Sequence, residues 1–362
     1  MSQVIPETMA GVQLLGHGDF EQLVYRTDIA TPAPTTGEVL IRVAAAGVNN
    51  TDINTRVGWY AKSVRGATND SAANIDATAE GSWSGAAMDF PRIQGLDCCG
   101  TIVAVGDSVD AGRIGERVLV RPMQSLHDPA APFAFVTLGS EMDGAFAQYV
   151  KVESKQALHV KSDWSDSELA SLPCAYSTAE NMLTRAGVGA ERVLITGASG
   201  GVGSAAVQLA KRRGAEIIAV AAETKAADVM AVGADRVVHR GLSLIAELGV
   251  SSVDVVVDLV GGPGWSELCE ILRPGGRYVA SGAIAGPIVE LDLRTLYLKD
   301  LTFFGSTYQP DEIFTNLIDY VERNEIRPLV AKTYPLLDIV SAQRDFLAKK
   351  HTGKLVLIPP AD

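Results

Sequence analysis

The chain is poor in the residues that build metal centres and disulfides. Its 362 residues include four cysteines and five histidines. Cys98, Cys99, Cys174 and Cys269 form neither a C-x-x-C pair nor the spaced framework of a disulfide-stapled fold. A reducing cytoplasm is therefore the expected setting. Cations are also few: 31 Lys and Arg face 43 Asp and Glu, a net charge of −12. Nucleic-acid binding runs on clustered Lys and Arg, so no nucleic-acid partner is expected. No apolar run approaches the length that crosses a bilayer, and no membrane partner is expected either. The opening Met-Ser-Gln-Val-Ile-Pro-Glu lacks the basic and apolar regions of a secretory leader. Internal repeats are absent.

Glycine, by contrast, is abundant, and its placement is informative. Residues 193–203 read Val-Leu-Ile-Thr-Gly-Ala-Ser-Gly-Gly-Val-Gly, and a helical stretch, Ser204–Arg213, follows directly. An apolar strand running through a glycine turn into a helix builds an anion site, because the first N–H groups of a helix lack partners and carry partial positive charge. Ala198, Ser199, Gly200, Gly201, Val202 and Gly203 would cradle a pyrophosphate, Gly200 and Gly201 by close backbone approach and Gly203 by close helix packing. The spacing is A-x-G-x-x-G, a common turn when it stands alone. Its surroundings strengthen it. Apolar runs at Glu216–Ala222, Arg236–His239, Val253–Val260 and Arg277–Ser281 alternate with helical spacers, which predicts a parallel, doubly wound α/β sheet. In such sheets the ligand lies beyond the carboxyl ends of the strands. A dinucleotide, and hence hydride chemistry, is the expectation.

The length exceeds one typical core, so two domains are expected. The first segment, to about residue 160, has short strand candidates at Gly11–Leu15, Glu38–Ala46, Gly100–Val105, Arg117–Val120 and Ala147–Val152, separated by turn signals. Val64–Met88 interrupts them with a small and polar composition that reads as a surface insertion, a candidate lid. A linking helix is expected over Asp166–Arg185, capped at Ser165 or Asp166 and bent or interrupted at Pro173. After about residue 295 the chain is expected to return to the first domain, ending in a helix at Ile339–Lys349 and a strand at Lys354–Ile358. The expected division is 1–160 with 296–362 as the β-rich unit, and 161–295 as the dinucleotide-binding unit.

Several segments resemble the medium-chain dehydrogenase/reductase superfamily, in particular its quinone oxidoreductase branch. They are Gly47-Val-Asn-Asn-Thr-Asp52, Pro91-Arg-Ile-Gln-Gly-Leu-Asp97 with Gly100-Thr-Ile-Val-Ala-Val-Gly106, the Ala198–Gly203 turn, and His351-Thr-Gly-Lys-Leu-Val-Leu357. They span essentially the whole chain in the right order. The resemblance implies a β-rich GroES-like catalytic domain joined to a Rossmann cofactor domain. Zinc relatives carry ligands at positions that here hold Asn49, Leu96-Asp97 and Cys174. A tetrahedral site with an open position needs three N, S or O ligands. Leucine supplies none and asparagine is a poor one, so no metal is expected. The four clustered cysteines of a structural zinc lobe are also missing after Arg121, and His127-Asp128 reads as a surface turn.

NAD-selective folds place a carboxylate at the end of the second strand. By register that end is Ala221. Lys225 lies just beyond it, as a Lys does in NADPH-using quinone reductases, and Arg240 follows the third strand. Two cations suit a 2′-phosphate. Glu223 is the counter-signal, since it would hydrogen-bond a ribose and favour NADH. NADPH is the expected cofactor, with NADH as the alternative.

The resemblance places Asn49 and Asp52 beside the nicotinamide and the substrate mouth, with Asn49 a candidate donor to a developing oxyanion. Thr51 takes the place of a proton-relay hydroxyl, and Tyr60 is a candidate acid or oxygen clamp. Each also has a plainer role in holding a turn or lining a pocket. Thr178, Leu259, Val260, Ser281, Gly282, Ala283, Phe304, Gly305, Ser306 and Lys354 are expected around the cofactor. The implied activity is zinc-independent, NADPH-dependent hydride transfer to a quinone or α,β-unsaturated carbonyl. The alternatives are an alcohol or aldehyde dehydrogenase lacking the usual zinc, and a non-catalytic NADPH-binding structural protein. A homodimer is expected, through the edge near Arg277–Val289.

Overall fold

The computed structural model describes residues 4–68, 81–85 and 87–361. Six strands form an all-parallel sheet in the order Arg236–His239, Glu216–Ala221, Arg192–Ile195, Val253–Asp258, Leu272–Ala280, Thr302–Gly305. The order steps outward in both directions from Arg192–Ile195, so a topological switch point lies beside the glycine turn. Both faces are covered. Val193, Ile195, Ile217, Ala219, Val255 and Val257 point into one buried cluster, which includes the helices Pro173–Arg185, Gly201–Arg212 and Asp311–Glu322. The alternate residues Leu194, Ile218 and Val256 point into a second cluster with Trp265, Leu268 and Cys269. A strand buried on both faces reads as a continuous apolar run, which is why these strands were visible in the sequence.

The β-rich unit is built on the long strand Glu38–Gly47. It pairs antiparallel with Cys99–Val105, Tyr149–Glu153 and Lys354–Ile358. Ala157–His159 and Arg117–Val120 extend this sheet at one end and Val330–Pro335 at the other. Thr8–Leu14, Leu23–Ala30 and Arg92–Ile93 form a smaller antiparallel sheet.

The linking segment is interrupted at Pro173 as expected: it is two helices, Asp166–Leu169 and Pro173–Arg185, with Pro173 at the first position of the second. Its missing N–H costs nothing there, and Ser165 caps the first helix through its hydroxyl. One expectation changes: the return to the β-rich unit comes later than residue 296. Thr302–Gly305 pairs in parallel with Leu272–Ala280, so the parallel sheet runs past that boundary. Asp311–Glu322 packs Phe314, Leu317 and Val321 into the same core.

One element at the heart of the site, the helix Asn50–Arg56, was not anticipated. Its residues are weak helix formers. Tertiary contacts hold it: Ile53 and Val57 are buried, and Arg56 is enclosed, donating to Gly18 O at 2.7 Å and to Gln343 Oε1 at 3.0 Å. Much of the candidate lid, residues 69–80 and 86, lies outside the described residues. At its described start, Trp59 Nε1 donates to Gly66 O, and Thr68 N donates to Ile284 O at 3.3 Å, in the loop after the strand Leu272–Ala280.

Candidate active site

Three strand-end loops converge on the glycine turn. Helix Gly201–Arg212 starts at Gly200, which has no side chain to cap the first N–H groups and leaves them for an anion. A Cβ on Gly200 would meet only Gly197 O at 3.4 Å, whereas one on Gly203 would overlap Gly197 O and approach Ala198 Cα to 2.7 Å. Gly203 therefore serves close packing and Gly200 keeps the cradle open. The Leu259–Gly262 loop lies against the turn, where a Cβ on Gly197 would touch Val260 Cγ2 at 3.2 Å. It also lies against the next loop, since Ala285 N donates to Val260 O at 2.9 Å and a Cβ on Gly282 would reach Leu259 O at 3.0 Å. The residues expected at these two loops, Leu259, Val260, Ser281, Gly282 and Ala283, thus come together with Ala198–Gly203. Asp258, fully buried at its strand end, fixes this corner. Its carboxylate accepts from Thr196 Oγ1 at 2.6 Å, Val260 N at 3.0 Å and Tyr278 OH at 2.7 Å.

Thr178 lies buried in helix Pro173–Arg185. Ser306 is engaged structurally: its carbonyl accepts from Ser281 Oγ at 2.7 Å and its hydroxyl from Asn181 Nδ2 at 2.9 Å. Phe304 packs on the core, and Gly305 is exposed at the edge strand.

The second strand ends at Ala221, whose carbonyl accepts from Arg240 N at 2.8 Å. Lys225 turns to the C-terminal loop and donates to Lys349 O at 2.7 Å and His351 O at 2.6 Å. Burial, and then Arg240, lowers the Lys225 pKa. Burial and Lys225 push Lys349 down to about 8, and His351 falls to about 4, chiefly by burial and then by the two lysines. Ammonium groups crowded this way gain from an anion between them. Lys349 and His351 were missed from sequence because they come from a loop far along the chain. The loop's link to the glycine turn is Gly353 N donating to Ser199 O at 3.1 Å.

Lys354 Nζ is buried against three acceptors: Asn49 Oδ1 at 2.5 Å, Asp97 Oδ2 at 2.8 Å and Val48 O at 3.0 Å. Asn49 Nδ2 donates to the same Asp97 oxygen at 2.9 Å and to Gly47 O at 3.4 Å. Asp97 Oδ1 accepts from Cys174 N at 2.6 Å. The amide expected to serve an oxyanion is thus turned onto Asp97, which the sequence marked as a motif residue and a would-be ligand position but not as a partner of Asn49. Asp52 Oδ2 accepts from Asn49 N at 2.7 Å, while its Oδ1 is buried without a hydrogen-bond partner. Burial chiefly, and Asp97 besides, raises Asp52 to about 7. Tyr60 OH donates to Thr51 Oγ1 at 3.3 Å, and burial raises its pKa to about 12, so the phenol keeps its proton.

The donor set at the would-be metal positions is poor. Leu96 is buried and carries no donor, Asn49 and Asp97 are hydrogen-bonded as above, and burial raises the Cys174 thiol. Among the described residues no three His, Cys, Asp or Glu side chains stand close enough to share a metal ion. Cys98 and Cys99 are buried free thiols. His127 and Asp128 lie in an exposed turn, where Asp128 Oδ1 accepts from Ala130 N. Among the described residues no helix is long and apolar enough to cross a membrane.

The sequence model of the alcohol dehydrogenase GroES-like domain matches residues 35–162, and that of the zinc-binding dehydrogenase matches residues 201–323. The chain is 29% identical to acryloyl-coenzyme A reductase of Metallosphaera sedula, covering 91% of this chain and 95% of that one. It is 26% identical to human quinone oxidoreductase, covering 97% and 98%. A structure described as a candidate alcohol dehydrogenase from Sinorhizobium meliloti 1021 shares 46% identity over 98% of both chains, with a TM-score of 0.87. The chain belongs to the medium-chain dehydrogenase/reductase superfamily.

Proposed function

We propose that the protein is a zinc-independent, NADPH-dependent reductase of quinones or α,β-unsaturated carbonyls. The observation that carries this reading is Leu96, 1% exposed at a position where a metal ligand would have to stand. Without a metal a simple carbonyl lacks its strongest polariser. Enones and quinones need less help, because the incoming electron pair delocalises into an enolate or phenolate. The cofactor, when bound, supplies the hydride from its nicotinamide ring. The protein's share is to bind, orient and exclude water. Gly200–Gly203 hold the pyrophosphate. Lys225 and Lys349 attract the 2′-phosphate, assisted by Arg240. Tyr60, protonated at neutral pH and backed by Thr51, donates a hydrogen bond to the substrate oxygen as charge builds there. Asn49 positions this loop.

The test is loss of NADPH absorbance with a quinone, an enone, an alkenal and a simple aldehyde, with NADH in parallel and with or without a chelator. Chelator-insensitive turnover of quinone or enone with NADPH is expected. Tyr60→Phe should lower kcat about a hundredfold while leaving NADPH affinity unchanged. NADPH binding without turnover of any acceptor would move the protein to a non-catalytic binding role. The similarity to the Sinorhizobium meliloti structure favours a second reading, alcohol or aldehyde oxidoreduction. Aldehyde turnover abolished by the chelator would select it. We also propose a homodimer in the cytoplasm.

A further inference from the structure

We propose that the Lys354 ammonium is a built-in cation that holds the substrate-side loop in place of a metal ion. The group is saturated: an ammonium has three N–H donors, and Val48 O, Asn49 Oδ1 and Asp97 Oδ2 take one each. Its side chain is 4% exposed and that of Asp97 is 0% exposed, so neither charge is shared with solvent. Asn49 closes the triangle by donating to Asp97.

The cage joins parts of the fold that are far apart in sequence. Asp97 also receives Cys174 N, at the start of helix Pro173–Arg185. A side chain on Gly47 would overlap Asp97 Oδ2 and approach Ala170 O to 2.6 Å, so the loop fits only because that residue is glycine. The Lys354 stem runs along the cofactor turn, where a Cβ on Gly201 would come within 2.8 Å of its Cδ. One side chain thus ties the cofactor turn, the Val48–Asn49 loop and the linking helix together. A dication entering here would have to displace an ammonium already neutralising Asp97, and Leu96 would offer it nothing. Lys354 is thereby a positioning residue acting through Asn49. The proposal deepens the zinc-independent reading, and its test reads stability and metal content besides turnover, so failure of the quinone or enone assignment leaves the stability and metal outcomes to decide it.

The experiment compares the full chain with Lys354→Met, Asp97→Asn, the double variant and Lys354→Ala. Removing one buried partner strands the other, so each single change should lower Tm by about 5 °C or more. The double variant should lose clearly less than the sum of the two, because no charge is stranded. n-Propylammonium should raise the Tm of Lys354→Ala and restore part of its kcat, and should leave the wild type unchanged. Wild-type protein purified with zinc present should contain well below one zinc per chain. Additive losses, absence of rescue, or stoichiometric zinc whose chelation lowers Tm would each overturn the proposal. If the single variants fail to fold, the double variant decides. It should fold with NADPH affinity within about threefold of wild type and kcat at least about tenfold lower; folding with full turnover overturns the positioning role.

Discussion

Lys225 and Lys349 stand 124 residues apart in the chain, yet Lys225 Nζ donates to the Lys349 carbonyl at 2.7 Å. Lys225 thereby meets the C-terminal loop just past the end of the second Rossmann strand, where Ala221 offers no carboxylate, and the Lys225 charge is felt at the Lys349 ammonium. Lys349→Glu and Lys225→Glu should each raise KM for NADPH about tenfold to a hundredfold, the range of a charged hydrogen bond, and move KM for NADH far less. Equal effects on the two cofactors would refute the phosphate assignment. The pH dependence has a definite sign. Lys349 titrates at about 8 in the free protein, and a phosphate binds its protonated form. NADPH affinity should therefore be full below about pH 8 and fall above it, while NADH affinity stays level. Fluorescence titration of both cofactors from pH 6.5 to 9.5 reads this directly.

The cofactor turn separates packing from binding. Gly200 has φ −78° and room for a methyl group, so Gly200→Ala should melt close to wild type while losing NADPH affinity as the methyl enters the pyrophosphate cradle. Gly203→Ala forces a Cβ into Gly197 O and Ala198 Cα and should cost about 1–3 kcal/mol of stability. Melting and cofactor titration on the pair test this. Unchanged NADPH binding in Gly200→Ala would displace the pyrophosphate from this turn.

What the sequence made legible follows from local physics. The parallel strands are short apolar runs closed by glycine turns, and those at Arg236–His239 and Lys354–Ile358 begin and end where expected. The glycine-bearing loops after Arg192–Ile195 and Val253–Asp258 fall at strand ends, which pattern alone locates. The helix Asn50–Arg56 was hidden because its Asn, Thr and Asp residues carry no helical preference and depend on Arg56 burial for support. The Lys354–Asp97 pair was hidden for another reason: the two residues are brought together only by the antiparallel pairing of the C-terminal strand with Glu38–Gly47. Asp258 gave a faint local signal, an acidic residue closing the three-valine run Val255–Val257. Position in sequence could suggest a role for Asn49, but only the fold shows its amide committed to Asp97.

Asp52 gives a stability signature independent of turnover. Burial first, and the Asp97 charge next, lift its carboxyl from 3.8 to about 7 against the pull of the Asn49 N–H. The folded state thus keeps a proton that the unfolded state releases between about pH 4 and 7. Folded protein binds more protons in that window, so stability contributed by this group falls as pH rises through it. Asp52→Asn retains an acceptor for Asn49 N and carries no charge. Its stability relative to wild type should improve by about 1 kcal/mol per pH unit from pH 5 to 7 and level off above. A flat difference across that range would place the Asp52 carboxyl near its ordinary value.

The parallel sheet ends on Thr302–Gly305, which pairs on one side only among the described residues. An open strand edge is a template for pairing with another chain. Next to it in sequence, Ile288, Leu293, Tyr297 and Leu298 are exposed, Leu298 at 70%. A run of large apolar side chains bordering an open edge fits a second copy of the same chain, whose own edge and apolar residues would cover it by two-fold symmetry. The homodimer should persist at micromolar concentration in sedimentation velocity. Leu298→Glu places a charge in that contact and should shift the population toward monomer with little loss of Tm in the isolated chain, since Leu298 is largely exposed there. Wild-type protein sedimenting only as a monomer would refute the dimer, and a dimer indifferent to Leu298→Glu would move the interface elsewhere.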